Sequence, residues 1–184
     1  MRLIAITGMP AAGKTEVVKI LEAMGFPVVV MRDVVEREME EKGIEVNNEN
    51  LRNYATELRE KYGFDVVARR CKPFIDEKLK MSEIVVIDGV RGIKEVEYFK
   101  EVYDENFVLI AIHASPKTRF ERIRKRGLKW DMETWEEFIW RDKKELSWGL
   151  GEAIALSDYM IVNEDTLEEL REKVNAVINE IIKR

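Results

Sequence analysis

The stretch Gly8-Met9-Pro10-Ala11-Ala12-Gly13-Lys14-Thr15 fits the pattern G-x-x-x-x-G-K-[ST]. An apolar run at 3–7 precedes it, and a helix-patterned segment at 16–24 follows it. A strand that turns through such a loop into a helix is the context in which this pattern binds phosphate. The alternative is a glycine-containing turn that matches by accident. That turn would have to reproduce both glycines, the Lys-Thr pair and both flanking elements at once.

Each part of this loop has a chemical role in the phosphate-binding interpretation. Gly8 and Gly13 let the backbone curl so that successive N–H groups point at one anion, and the following helix adds its positive end. Lys14 is then predicted to bridge the outer phosphates, and the Thr15 hydroxyl to contact a magnesium ion. All eight residues are therefore predicted to bind ATP, with GTP as a possible substitute, together with Mg²⁺.

Composition predicts one domain with a full hydrophobic core. The chain has 184 residues, of which 46% are hydrophobic, and this length suits a single domain carrying inserted flaps. Its net charge is −5. Proteins that bind duplex nucleic acid usually carry a strong basic excess, so we expect no such partner.

The cellular setting is predicted from cysteine content and apolar runs. Cys71 is the one cysteine of the chain, which excludes an internal disulfide framework and favours a reducing compartment. No run approaches 18 apolar residues, so we expect a soluble, cytoplasmic protein without a membrane partner. Glutamine is absent while Glu and Lys abound, a pattern associated with proteins from hot environments.

Apolar runs alternate with helix-patterned segments along the whole chain. Strands are predicted at 3–7, 28–31, 83–89, 107–113 and 158–163. Helices are predicted at 16–24, 32–42, 51–62, 65–80, 94–103, 115–127, 130–148 and 166–182. Pro73 falls inside the fourth helix, where its ring and missing N–H disfavour continuity.

Unbroken apolar strands that alternate with helices predict a three-layer α/β fold around a five-stranded parallel sheet. Ligands of such sheets gather at the carboxyl ends of the strands. That rule places four segments on one rim: the loop from Gly8, Arg32-Asp33, 88–91 and 113–115.

Asp88 ends an apolar strand and is predicted to hold the magnesium ion or its water, opposite Thr15. The alternative is a helix N-cap or a turn residue.

Arginines are concentrated in the predicted helix 115–127. Arg119, Arg122 and Arg126 fall at i, i+3 and i+7 and therefore share a helix face. Mobile arginines that close over a transferring phosphoryl group stabilise its negative charge. Arg141 is a further candidate for this clamp. The alternative for each is a solvated basic face paired with nearby acids.

Asp33 follows the second strand directly. It is predicted to orient an acceptor hydroxyl and take its proton, a role that an acceptor phosphate would not need. It could equally be the N-cap of its helix. Arg37, Arg52, Arg59 and Arg91 are candidates for gripping an anionic acceptor, with ordinary surface charge as the alternative.

The remaining distinctive residues are interpreted as structural. His113 ends a strand and is predicted to pack or cap, and Cys71 to be a small buried apolar residue. The tryptophans are predicted to pack in the core or flap rather than to stack on a base: Trp130, Trp135, Trp140 and Trp148.

In these motifs the chain resembles the small kinases related to adenylate kinase and dephospho-coenzyme A kinase. The resemblance rests on Gly8 to Thr15, on Asp88-Gly89 with Arg91, on Arg122-Ile123 with Arg126, and on Asp158-Tyr159-Met160-Ile161-Val162-Asn163 before the last helix. More narrowly, the chain is similar to an archaeal family usually described only as similar to dephospho-coenzyme A kinase.

This resemblance implies the P-loop NTPase fold with an acceptor-binding helical flap at about 34–80 and a lid at about 126–148. It implies that Arg122 lies near the adenine, that Arg126 lies near the phosphates, and that Asn163 belongs to the nucleotide site. Asp33 is similar in placement to the carboxylate that faces the acceptor hydroxyl. Adenylate kinases carry Asp-Gly-x-x-Arg, whereas 88–91 here is one residue shorter.

The sequence therefore predicts an ATP- and magnesium-dependent phosphotransferase acting on a nucleotide-like small molecule. Nucleoside monophosphates and acceptors of the dephospho-coenzyme A type both remain open. The rival from another class is a regulatory or assembly NTPase, which would use bound nucleotide to switch a protein or RNA partner. The arginines of the proposed lid favour the phosphotransferase, because a simple switch does not need them.

Overall fold

Five strands form the centre of the molecule. The structure, a computed structural model, describes residues 1–128 and 132–183. Its strands are β1 (Arg2–Thr7), β2 (Val28–Val30), β3 (Ile84–Val90), β4 (Phe107–His113) and β5 (Tyr159–Val162). All neighbouring pairs are parallel, in the order β2-β3-β1-β4-β5. The predicted five-stranded parallel sheet is confirmed.

Helices cover both faces of this sheet. The described residues form α1 (Lys14–Ala23), α2 (Met31–Glu41), α3 (Asn48–Tyr62), α4 (Val66–Leu79), α5 (Ile93–Tyr103), α6 (Pro116–Arg126), α7 (Trp135–Leu146), α8 (Leu150–Ala155) and α9 (Leu167–Lys183). A short 3-10 turn, Asp104–Asn106, joins α5 to β4. This arrangement confirms the three-layer α/β fold that the sequence predicts.

Alternate residues of β1 point into two separate cores. Leu3 and Ala5 are buried among residues of α2, α3, α4 and α5, whereas Ile4 and Ile6 are buried among residues of α1 and α9. A central strand covered on both faces has no solvated side, which explains why its sequence reads as a continuous apolar run.

The pairing of β1 with β3 changes register next to the phosphate loop. Ile6 pairs with Asp88, but Thr7 pairs with Val90, so Gly89 is an extra residue. The Thr7 hydroxyl donates a 2.9 Å hydrogen bond to the Val90 carbonyl. A bulge of this kind re-aims side chains and often lies beside a functional site. Here it lies directly after Asp88.

Helix α4 continues through Pro73, which confirms the helix predicted at 65–80. A proline inside a helix costs about 3 kcal/mol. Helix α4 buries Val66, Val67 and Ile75 together with Ala68 and Cys71, and each large aliphatic side chain contributes about 1.5–3 kcal/mol on burial. Burial therefore outweighs the proline penalty. Cys71 is buried in this core, as predicted.

The predicted helix 130–148 is shorter at both ends. Helix α7 begins at Trp135 because Thr134 forms a capping box with Glu137, and it ends at Leu146. Gly149, at φ 85°, then leads into α8, which the sequence pattern did not reveal. The part of the predicted lid at 129–131, including Trp130, lies outside the described residues.

Within the described ranges, no helix combines the length and the apolar character needed to cross a bilayer.

Candidate functional site

Two glycines are sterically required in the loop between β1 and α1. Gly8 has φ 145°, and a Cβ there would lie 2.3 Å from the Ile112 carbonyl oxygen. Gly13 has φ 107°, and a Cβ there would lie 2.1 Å from Asn163 Nδ2. Both positions combine a left-handed backbone with close approach of a neighbour, so a side chain does not fit. The loop therefore keeps the shape that phosphate binding requires.

The start of α1 supplies backbone donors to this loop. Glu16 and Val17 donate their N–H groups to the Gly13 carbonyl. The amides of Lys14 and Thr15 come before these donors and have no acceptor within the helix. Helix N-termini with such amides bind anions. Pro10 has no N–H and cannot donate; its carbonyl instead accepts a hydrogen bond from Arg119 at 3.2 Å.

Lys14 folds over the loop that carries it. Its Nζ donates to the carbonyl oxygens of Gly8 at 2.7 Å and Met9 at 3.0 Å. Burial lowers the pKa of Lys14 to about 8, with Arg91 acting in the same direction, while Asp88 and Glu145 oppose the shift. A polyphosphate would supply the negative charge that Lys14 lacks in this environment.

Asp88 presents a buried oxygen that makes no hydrogen bond within the described structure. Burial raises the pKa of Asp88, while Lys14 and Arg91 oppose the shift. The N-cap alternative is wrong, because Asp88 lies within β3 and the N-cap of α5 is Gly92. An unpaired buried carboxylate oxygen needs a partner.

A magnesium ion fits this oxygen. Thr15 and Asp88 line the same cavity, and oxygen donors are the ligands that Mg²⁺ prefers. Among residues 1–128 and 132–183, no group of three or more His, Cys, Asp or Glu is placed to hold a metal. That agrees with the usual behaviour of Mg²⁺, which takes one or two carboxylates together with phosphates and water.

Arg119 is fixed in place rather than mobile. It forms a bidentate pair with Asp142 of α7 at 2.9 and 2.5 Å and donates to the carbonyls of Ala114 and Pro10. Only 3% of Arg119 is exposed. The predicted role of Arg119 in closing over a phosphoryl group is therefore wrong: this side chain joins α6 and α7 to the phosphate loop.

Arg122 and Asn163 hold the other side of the loop. Arg122 donates to the carbonyls of Ala12 at 3.3 Å and Asn163 at 2.8 Å, and Asn163 Nδ2 donates to the Ala12 carbonyl at 2.8 Å. These contacts bring the predicted nucleotide-site residues together with the loop. The predicted position of Arg122 beside the adenine stays a prediction.

Two cavities meet beside Lys14. A cavity of about 150 Å³ lies over the phosphate loop, and one of about 370 Å³ extends towards α2 and α3. The residues that line both are Lys14, Gly89, Arg91, Arg126, Arg141 and Glu145. We call this set the junction. Two of the predicted catalytic arginines, Arg126 and Arg141, belong to it.

Like charges crowd around the junction. Burial lowers the pKa of Arg141, and Arg52, Arg91 and Arg126 lower it further, whereas Glu145 opposes them. An anion placed here would relieve the repulsion among the guanidinium groups.

Glu145 belongs to the candidate site and was missed by sequence reasoning. Its carboxylate is 6% exposed and accepts from Arg91 Nη1 at 3.2 and 3.3 Å. Arg141 Nε lies 4.0 Å from the same group. The i, i+4 spacing of Arg141 and Glu145 was the available signal, since it places both on one face of α7.

Two predicted acceptor residues do not line either cavity. Asp33 lies exposed in the first turn of α2, whose N-cap is Val30, so Asp33 is not the cap. Burial raises the pKa of Asp33, and Glu36 adds to the shift. The Arg37 guanidinium packs over the Phe74 ring at 5.0 Å.

Other arginines do reach the larger cavity. Arg32 donates to the Asn48 side chain at 3.1 Å and Arg52 to the Asn48 carbonyl at 3.0 Å, and all three residues line the cavity. Arg59 pairs with Glu95 at 3.2 Å and lines the same space.

The described tryptophans have three different settings. Trp135 packs against Phe120 and Phe138, as predicted. Trp140 is 65% exposed, so its predicted packing role is wrong. Trp148 lines the larger cavity and carries the Arg59 guanidinium 5.2 Å above its ring.

Comparison with known proteins gives a family and a fold. A family model described as an AAA domain matches residues 4–141. A UPF0200 protein of Methanocaldococcus jannaschii is 44% identical over 182 residues, which cover 99% of this chain and 91% of the relative.

Solved structures of low sequence identity share the fold. They include TT1252 from Thermus thermophilus (TM-score 0.66, 22% identity, 97% of each chain) and a dephospho-CoA kinase from Campylobacter jejuni (TM-score 0.63, 16% identity, 100% of this chain and 98% of the other). A shikimate kinase from Bacteroides thetaiotaomicron has TM-score 0.62 and 14% identity, with 97% and 98% covered. Together with the match over nearly the whole M. jannaschii relative, these findings show that the chain is a member of the UPF0200 family, built on an AAA-type P-loop domain with a kinase-like fold.

Proposed function

We propose that this protein is an ATP- and magnesium-dependent phosphotransferase that acts on a nucleotide-like small molecule, with GTP as a possible donor. The observation that supports this most directly is the junction. A phosphate loop opens into a small cavity, and that cavity shares six lining residues with a second, larger one. Two substrates placed in these cavities would meet beside Lys14.

The donor side is assigned to the loop and its supports. The amides at the start of α1 and the Lys14 ammonium bind the phosphates, while Arg122 and Asn163 brace the loop through the Ala12 carbonyl. Thr15 and Asp88 hold the metal ion, which would neutralise phosphate charge when bound. The orphaned Asp88 oxygen supports this assignment.

The acceptor side is assigned to the segment 34–80, and the lid to 126–148. The larger cavity draws its walls from α2, α3 and α4 on one side and from Arg126, Arg141 and Trp148 on the other. Since phosphoryl transfer needs little covalent chemistry from the protein, Arg91, Arg126 and Arg141 would act by positioning and by charge stabilisation.

Kinases of known structure support this proposal through their fold alone. The similar chains include enzymes named dephospho-CoA kinase and shikimate kinase, and both names describe transfer to a small molecule. A regulatory NTPase would not require the second cavity next to its phosphate loop.

The test is transfer of labelled γ-phosphate from ATP or GTP to a panel of small acceptors, with Lys14→Ala as the diagnostic variant. Because Lys14 contacts loop carbonyls at the surface of the cavity rather than core side chains, the variant should fold. We expect it to lose about 10²- to 10³-fold in turnover. Full activity in Lys14→Ala, or slow hydrolysis that no acceptor stimulates, would contradict the proposal.

A further inference from the structure

We infer that the accepting atom of the second substrate is an anionic oxygen, carried by a phosphate or carboxylate, and not a neutral hydroxyl. This inference rests on the proposed function and names the chemistry of its acceptor. It is drawn from the charges that line the larger cavity and from the position of each carboxylate near it.

The larger cavity is strongly cationic. Its lining includes seven basic side chains, namely Lys14, Arg32, Arg52, Arg59, Arg91, Arg126 and Arg141, and two acidic ones, Asp88 and Glu145. The whole chain has net charge −5, so this concentration is local. Clefts lined by one sign of charge raise the local concentration of the opposite ion.

Arg52 contributes positive charge to this cavity from α3. Arg59 is paired with Glu95 and Arg32 with Glu36, but within the described ranges no carboxylate pairs with Arg52. Arg52 lies close enough to Arg141 to lower its pKa. Arg52 and Arg141 therefore extend the positive potential from the junction into the larger cavity.

Glu145 shows that the junction accommodates an oxyanion. Its two oxygens both lie near Arg91 Nη1, and Arg141 Nε lies 4.0 Å away, at ion-pair distance. Arginine recognises carboxylate and phosphate oxygens by the same donors. An acceptor phosphate or carboxylate would therefore meet groups that already bind an anion in the folded protein.

The described carboxylates that line the cavity are poorly placed to remove a proton from a hydroxyl. Glu145 is engaged with Arg91, and Asp88 is the proposed metal ligand and is close enough to Lys14 to affect its pKa. Asp33, the predicted base, is exposed on α2 and does not line the cavity, although its charge reaches Asp88 and raises the pKa of that carboxyl. A general base must reach the proton that it abstracts.

An anionic acceptor needs no such base. An acceptor oxygen forms a bond to the γ-phosphorus, the bond from that phosphorus to the β–γ bridging oxygen breaks, and the nucleoside diphosphate leaves with the electron pair. A hydroxyl acceptor would also have to lose a proton to a neighbouring group, whereas an oxyanion has none to lose. The side chains that line the cavity therefore suit an oxyanion as the acceptor.

The size of the cavity restricts the acceptor to a small molecule. A volume of about 370 Å³ falls within the range of roughly 300–1,000 Å³ typical of small-ligand sites. Its walls also include Val35, Leu51 and Ala55, which would contact an apolar part of the acceptor. A phosphate or carboxylate attached to a partly apolar body satisfies both kinds of wall.

The experiment uses the whole chain, γ-labelled triphosphate and matched acceptors that end in phosphate, carboxylate or hydroxyl. The bond in the labelled product identifies the accepting atom. A phosphoanhydride is cleaved by acid but resists hydroxylamine, an acyl phosphate is cleaved by hydroxylamine, and a phosphate ester survives both treatments. We expect one of the two labile products.

Two arginine variants test the binding side of the same inference. Arg52→Ala should raise KM for the anionic acceptor about 10- to 100-fold, the range expected for loss of a hydrogen bond to a charged group. Arg69→Ala is the matched control. Arg69 pairs with Asp65 on the surface and does not line the cavity, so its KM should not change.

Failure of this inference differs from failure of the proposed function. Transfer that gives a stable phosphate ester, and that is lost in Asp33→Asn, would overturn the inference and keep the phosphotransferase. Triphosphate binding without any labelled small-molecule product would overturn both. Isothermal titration with a non-hydrolysable triphosphate separates this second outcome from a protein that does not bind nucleotide at all.

Discussion

At the scale of single residues, the clearest consequence concerns the proton on Lys14. Its pKa in the folded protein is about 8, compared with an ordinary value of 10.5. The folded chain therefore binds fewer protons than the unfolded chain between these values, and Lys14 makes stability rise with pH in that window. Phosphate binding has the opposite requirement, since it needs the charged ammonium.

We therefore expect triphosphate affinity to fall above about pH 8, by up to about tenfold per pH unit. Titration calorimetry at several pH values, in buffers of different ionisation enthalpy, would measure both the affinity and the proton taken up. Lys14→Arg is the control, because its guanidinium keeps its charge over this range. An affinity that stays constant up to about pH 9.5 would contradict the role of the lysine.

Asp88 gives a second prediction at this scale. Its pKa is raised in the folded protein, so stability falls as pH rises from the ordinary aspartate value through the folded one. Ionising this half-buried carboxyl therefore lowers the stability of the folded chain when no metal is bound. Asp88→Asn should therefore melt at a higher temperature than the parent in the absence of ligands.

The same substitution should weaken the magnesium-dependent part of triphosphate affinity at least about tenfold, a loss typical of removing a group that orients a metal or its water. Melting curves with and without Mg²⁺ and nucleotide measure both effects. A variant that is destabilised, or that keeps its full response to Mg²⁺, would rule out the metal assignment.

At the scale of helices and strands, the link between α6 and α7 carries the main prediction. Removing one partner of a buried ion pair costs about 3–5 kcal/mol, and each 1 kcal/mol corresponds to about 2–4 °C in a chain of this length. Asp142→Ala leaves Arg119 buried without its carboxylate. We expect the melting temperature to fall by about 6–20 °C, as measured by differential scanning calorimetry.

Asp165→Ala is the matched control for Asp142→Ala. Asp165 also pairs with a basic residue, Lys173, but both side chains are largely exposed. Surface pairs contribute about 0–1 kcal/mol. Equal effects of the two substitutions would show that the buried pair does not hold α7 in place.

Local sequence patterns predicted most elements and missed those that depend on distant contacts. The strands were recognisable because both of their faces are buried. Helix α4 passes through Pro73 because of core contacts that a local pattern does not contain. Helix α8 has six residues, too few to show a helical repeat of apolar residues. Helix α7 starts at a capping box, whereas the predicted helix began before it.

At the scale of the whole molecule, a protein with net charge −5 concentrates positive charge in one cavity. Ligands that bind only the folded state stabilise it by about 2.7 kcal/mol at 100 times their dissociation constant. A non-hydrolysable triphosphate with Mg²⁺ should therefore raise the melting temperature by about 5–11 °C. Differential scanning fluorimetry measures this shift, and no change at any concentration would argue against a nucleotide site.

The candidate site was predictable on its donor side and less so on its acceptor side. The phosphate loop is contiguous, so its chemistry is visible in eight successive residues. The pairs Arg91–Glu145 and Arg119–Asp142 join residues 54 and 23 positions apart, and a single sequence gives no sign of such contacts. Asp33 and Arg37 both lie on α2, and neither lines the cavity; which side chains of a helix reach a cavity depends on how the helix packs, and a local pattern does not contain that.

The side chains that hold the phosphate loop also determine when the loop can form during synthesis of the chain. The loop is made within the first 15 residues, yet its carbonyls at Pro10 and Ala12 are held by Arg119, Arg122 and Asn163. A nascent chain still on the ribosome lacks these contacts until β5 and Asn163 have emerged. Nucleotide should consequently be captured only after that point, and fragments ending before Asn163 should fail to retain it.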